Sequence, residues 1–163
     1  LALDLAATCA RFNVVPASDA HVDAMAPLLR EGDRQEIWAA AGLGAREGLA
    51  LSLAASVYAW TWLVEDVPAC MFGVSCPDRS SGTGIPWLLS GGLVDRHWRP
   101  FLKYHRPFLA RMRRDFDLLT NWVDASYGQA IHWLHWMGFT ILPAAPYGPF
   151  GLPHHPFEMR ARQ

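Results

Sequence analysis

Residues 121–139 constrain the fold more than any other stretch of this chain. Asn121-Trp-Val-Asp124 reads as the end of a buried strand, Ala125-Ser126-Tyr127-Gly128 as a tight turn, and residues 129–137 as a short amphipathic helix. Ala130, Trp133, Leu134 and Met137 recur at helical spacing and form one apolar face. Ser126 with Gln129 three residues later has the pattern of a capping box. Gly138 suits the left-handed position that ends a helix, and Phe139 opens another extended run. A strand that passes through one turn into a helix and back into a strand needs a sheet with helices packed on it.

The rest of the chain supplies such a sheet. Arg11 to Pro16 reads as a short strand, and Ser18 as the cap of a helix that Pro27 kinks or splits. Two helical regions, Asp33 to Ala40 and Ala45 to Ser56, flank the Gly42-Leu-Gly44 turn. Strands at Tyr58–Val64 and Ala69–Val74 are joined by a Glu65–Pro68 turn. A polar loop, Cys76–Gly84, leads to a strand at Ile85–Leu89. Val94 to Phe116 is amphipathic, with Pro100 and Pro107 predicting a bend or a helix that starts near Pro100. After the strand at Leu118–Val123 and the 121–139 segment come a strand at Phe139–Leu142, a shaped loop at Pro143–Pro156 and a short last strand at Phe157–Arg160.

With 163 residues the chain is expected to hold one domain, 11–163, preceded by an N-terminal extension, 1–10. A net charge of −1 supplies no general attraction to nucleic acid or membrane, and no nucleic-acid motif is present. No apolar run approaches the roughly 18 residues of a membrane span. Cys9, Cys70 and Cys76 are odd in number and lack metal-ligand spacing, so they read as reduced thiols in the cytoplasm. Eight tryptophans exceed what one small core needs and point either to an unusually aromatic core or to a partner surface.

The Gly138-Phe139 stop and the order strand, helices, three strands, helix, strand, helix, strands resemble the GNAT (N-acetyltransferase) superfamily over about residues 11–160. The resemblance implies an α/β (α+β) GNAT-like fold, a mixed and mostly antiparallel sheet flanked by helices on both faces. It implies acetyl-CoA as donor, held by Leu89, Ser90, Gly91, Gly92 and Arg96 at the start of a helix. The family's Arg/Gln-x-x-Gly-x-Gly/Ala loop is not reproduced there, and Asp95 puts a carboxylate beside it. Tyr127 stands where many members carry a cofactor-contacting Asn, and Leu134 where they carry a proton-donating Tyr. Tyr127 and His155 are the residues left to handle protons.

Within that superfamily, Asp33–Trp38, Ala69–Val74, Ile85–Leu89, Trp122–Phe139 and Pro146–Gly148 resemble the GNAT-like family that includes internal virion protein A of T7-type podophages. That resemblance implies a cytoplasmic or virion-associated protein acting in phage assembly through contacts with structural proteins or with copies of itself. The alternative is an acetyl-CoA-dependent N-acetyltransferase, and a module binding another small anion is a third reading.

Two further groupings stand apart. His132 and His135, with His154, His155 and Glu158, offer metal-capable side chains but no third ligand at fixed spacing, so no metal is expected. Arg96, Arg99, Lys103, Arg106, Arg111, Arg113 and Arg114 form the solvated side of the amphipathic stretch or an anion-binding face.

Overall fold

The computed structural model describes residues 4–161. Helices α1 (Leu5–Phe12), α2 (Asp19–Met25), α3 (Glu31–Ala41), α4 (Ala45–Ala55), α5 (Gly92–Arg96), α6 (Trp98–Asp115) and α7 (Gly128–Met137) surround one sheet. Its strands are β1 (Val14–Pro16), β2 (Ser56–Val64), β3 (Val67–Ser75), β4 (Thr83–Ser90), β5 (Leu118–Asp124), β6 (Thr140–Ile141), β7 (Ala145–Tyr147) and β8 (Leu152–Arg160). The order is β1-β2-β3-β4-β5-β8-β6, with β7 also on β8, and every pair is antiparallel except β4–β5.

Alternation along the strands divides the core between two faces. Met71 and Leu89 meet Val22, Met25, Ile37 and Leu49 of α2–α4 on one side. Cys70, Trp62 and Phe72 meet Phe101 and Phe108 of α6 on the other, and Leu119, Val123 and Phe157 pack with Met112 and α7. The tryptophans serve this core in large part: Trp60 contacts Phe72 and Phe108, and Trp62 stacks on Phe101. Among the described residues no helix is long and apolar enough to cross a membrane.

Several local expectations hold. Pro27 ends α2 and leaves a 3₁₀ turn at Ala26–Leu28. The amphipathic stretch breaks at His97, so Pro100 falls in the first turn of α6, where a missing N–H costs little, while Pro107 lies inside the helix. Glu65 and Asp66 both take positive φ, as a two-residue hairpin turn requires.

Others are corrected. Arg11 and Phe12 belong to α1, because Asp4 caps that helix and Asn13 closes it in the left-handed region. Within the segment set apart as an extension, Leu5 and Cys9 pack on the cluster containing Phe101; residues 1–3 lie outside the described residues. Ser126 does not cap α7. Its N–H and hydroxyl both go to Asp124 Oδ1, at 2.7 Å each, and Tyr127 takes the N-cap position of α7.

The largest correction is at 143–156, where a β7–β8 hairpin replaces the loop. Pro146 and Pro153 face each other across it, and Pro156 stands opposite Trp122. Proline is tolerated at ladder positions where no N–H donation is needed, so this strand is hidden from a reading that treats proline as a breaker. Gly148, at φ 72°, seats the turn on the end of α3; a Cβ there would lie 2.5 Å from the Ala39 carbonyl oxygen.

Candidate active site

β4 and β5 run parallel but pair only at Thr83↔Leu118 and Gly84↔Leu119. Beyond Gly84 they part, and Asn121 Nδ2 bridges the widening gap by donating to the Pro86 carbonyl at 2.9 Å. That bond shows which way β4 faces. Pro86 directs its carbonyl toward the gap. Ser90 also turns both backbone groups away from β3, accepting from Arg30 N–H and donating to Asp33 Oδ1. In an antiparallel ladder these directions alternate by residue, so Leu88, midway between them, aims its N–H and C=O into the gap. A cavity of about 330 Å³ runs through it, with α3 and α4 on one side and α6 and α7 on the other.

The α3 side carries the polar groups. Asp33 is 3% exposed and receives Tyr127 Oη–H at 2.9 Å, Arg30 Nε–H at 3.2 Å and the Ser90 N–H. Burial raises its pKa, and these partners oppose the rise. Arg30 also pairs with Asp95 at 2.8 Å, donates to Ser90 Oγ, and lies over the Trp133 ring. Gly32 makes the Tyr127 contact sterically accessible, since a Cβ there would lie 2.6 Å from the phenol ring. Glu36, one turn along α3 from Asp33, accepts the Asp124 N–H at 3.3 Å. Burial lifts its carboxyl from the ordinary 4.5 to about 8, the Asp124 hydrogen bond opposes this, and the charges of Asp33 and Asp124 add to it.

The sequence-derived candidates separate in space. Tyr127 lines the cavity, its pKa raised by burial and by Asp33. His155 lies on β8 with Nδ1 bonded to the Leu142 carbonyl and is not on the cavity wall. Leu89 is core on the α2–α4 face, and Ser90 is wholly buried between Arg30 and Asp33. Gly91 donates its N–H to Ala69 and touches the Leu28–Leu29 segment, where a Cβ would sit 2.8 Å from the Leu28 oxygen. Gly92 faces open space, and Arg96 is exposed. His132 and His135 are exposed on α7, and among the described residues no three His, Cys, Asp or Glu side chains are placed to share a metal.

Sequence reasoning missed Arg30, Asp33, Glu36 and Asn121. The usable signal was Arg30-x-x-Asp33-x-x-Glu36, charges at i, i+3 and i+6 along one side of α3.

No protein-family model matches the chain, and no curated protein sequence matches it. Solved structures do. Ard1 from Thermoplasma volcanium superposes with a TM-score of 0.72 at 11% identity, over 92% of this chain and 97% of that one. A probable acetyltransferase (GNAT family) from Chromobacterium violaceum gives 0.68 at 14% identity, over 91% and 86%. The ribosomal-protein-S18-alanine N-acetyltransferase from Escherichia coli gives 0.63 at 11%, over 92% and 94%. The fold is therefore GNAT-like: a mixed, mostly antiparallel sheet with helices on both faces.

Proposed function

We propose that this chain is an acyl-CoA-dependent N-acyltransferase, with the thioester in the β4–β5 gap and a primary amine approaching from the α3 side. One observation carries the reading: the gap exposes the Leu88 backbone pair and opens onto Glu36, a carboxyl held near pKa 8. The names of the structural relatives favour acyl transfer over the virion-assembly role, which rests on the phage resemblance alone.

The residues present fit a coenzyme A arm. Leu88 offers an N–H and a C=O along the gap, and Asn121 satisfies the Pro86 carbonyl across it. At the β4–α5 turn, Gly92 leaves room and Arg96 is free to approach a phosphate, whereas Ser90 and Gly91 are committed to Arg30, Asp33 and Ala69. Bound there, the coenzyme supplies an acyl thioester whose C–S bond breaks as the amine's C–N bond forms.

Glu36 takes one proton from the incoming ammonium and passes it to the departing thiolate, and the second proton that the nitrogen loses on becoming an amide goes to solvent. The Glu36 pKa near 8 matches that task at neutral pH better than an ordinary carboxylate would. The Leu88 N–H is the backbone donor available to polarise a carbonyl in the gap. Tyr127 donates its hydroxyl hydrogen bond to Asp33 and has a raised pKa, so it positions Asp33 and leaves Glu36 as the better-matched proton carrier for the departing thiolate.

Calorimetry with acetyl-CoA, paired with a thiol-release assay over a panel of amines, tests the reading. Saturable binding and amine-dependent thiol release are expected. No binding at millimolar acetyl-CoA would overturn it.

A further inference from the structure

Building on the acyltransferase reading, we infer that the acceptor is a hydrophobic monoamine, an aryl- or alkyl-substituted primary amine without carboxylate or phosphate, held in an aromatic chamber on the α3 side of the gap. Trp87 shares the α2–α4 face with Leu89, and Trp122 points to the same side because Leu119 and Val123 occupy the other. The two indoles therefore flank the gap on the face where Glu36 stands, and all three line the cavity.

The rings are braced. Trp122 stacks on Tyr147 with centroids 4.5 Å apart and planes 13° from parallel, and His154 supports Tyr147 edge-on. Trp87 satisfies its indole N–H on Ser56 Oγ at 2.8 Å, which leaves its ring as a plain apolar wall. Ile37 of α3, Leu43 of the turn between α3 and α4, and Leu51 of α4 continue that wall. Such surfaces bind arenes and alkyl chains, and aromatic faces also attract an ammonium group.

The charged groups on the cavity wall narrow the ligand further. Asp33 is met by Arg30, and Asp124 is not on the cavity wall, so among the described residues Glu36 is the carboxyl left there to receive one ammonium proton. Arg30 is the sole arginine or lysine on the cavity wall among the described residues, and Asp33, Asp95 and Ser90 engage it. A carboxylate or phosphate on the acceptor would enter without a counter-charge, and a second ammonium would find no second open carboxylate on the wall.

The test compares matched probes with acetyl-CoA as donor: phenethylamine against phenylalanine, which adds only a carboxylate, and butylamine against putrescine, which adds only a second amine. We expect kcat/KM for phenethylamine to exceed that for phenylalanine by about 100-fold, the scale set by an uncompensated buried charge. Butylamine should exceed putrescine by about tenfold. Trp122→Ala should raise the KM for phenethylamine about tenfold while acetyl-CoA binding stays intact, and Trp122→Phe should restore it. Preference for phenylalanine or putrescine, with acetyl-CoA still bound, overturns this inference and leaves the acyltransferase reading standing. Absence of acetyl-CoA binding overturns both.

Discussion

Replacing Glu36 by Gln separates the proton-transfer role from the fold, because the amide oxygen can still accept the Asp124 N–H. The wild-type carboxyl moves from 4.5 to about 8 on folding, so the folded state binds the extra proton. Stability from this group is complete below about pH 4.5 and is lost as pH rises through about 8. At pH 7 the penalty is 2.5 units at about 1.36 kcal/mol each, or about 3.4 kcal/mol. Glu36 keeps some solvent contact at the cavity wall, and screening there discounts that figure to about 2 kcal/mol. Glu36→Gln should therefore melt roughly 4–8 °C higher than wild type at pH 7 and at nearly the same temperature at pH 4.5. Its kcat/KM should fall by about 10²–10⁴-fold, and the rising limb of the wild-type pH profile, centred near pH 8, should disappear. Denaturation at the two pH values and a pH–rate series provide the readouts. A variant within threefold of wild-type activity, or a stability difference independent of pH, would refute the reasoning.

Gly92→Leu should leave the melting temperature nearly unchanged, since a Cβ there meets nothing, yet weaken acetyl-CoA binding about tenfold or more by calorimetry if this turn holds the phosphates. Gly91→Ala, by contrast, should cost about 1–3 kcal/mol in denaturant unfolding, because its methyl meets the Leu28 oxygen at 2.8 Å. Arg30→Met leaves Asp33 buried without its cation and should destabilise the protein by about 3–5 kcal/mol, read from the urea midpoint. In a native thiol titration Cys70 should stay silent until the protein unfolds, because it is wholly buried and burial pushes its thiol to about 12.

Much of the architecture was legible because it follows from short-range physics. Pro27 and Gly42 punctuate the first helices, Glu65-Asp66 marks the hairpin, and the spacing from Ala130 to Met137 with Gly138 after it defines α7. The β7–β8 hairpin was illegible because proline in a strand depends on which way the missing N–H would point, and only the paired strand determines that. Ser126 failed as a cap for a similar reason: Asp124, two residues earlier, takes both of its donors.

The site divides along the same line. Outside α1 and the β7–β8 hairpin, the sequence by itself determined the helix and strand types, the GNAT-like order and the glycine turn after β4, because each depends on neighbours within a few residues. Tertiary structure alone decided that β4 and β5 part after Gly84, that Gly32 lets Tyr127 reach Asp33 from 94 residues away, and that burial among carboxylates lifts Glu36 to about 8. A pKa and a gap between strands belong to the packed environment of a residue, and chain order does not encode that environment locally.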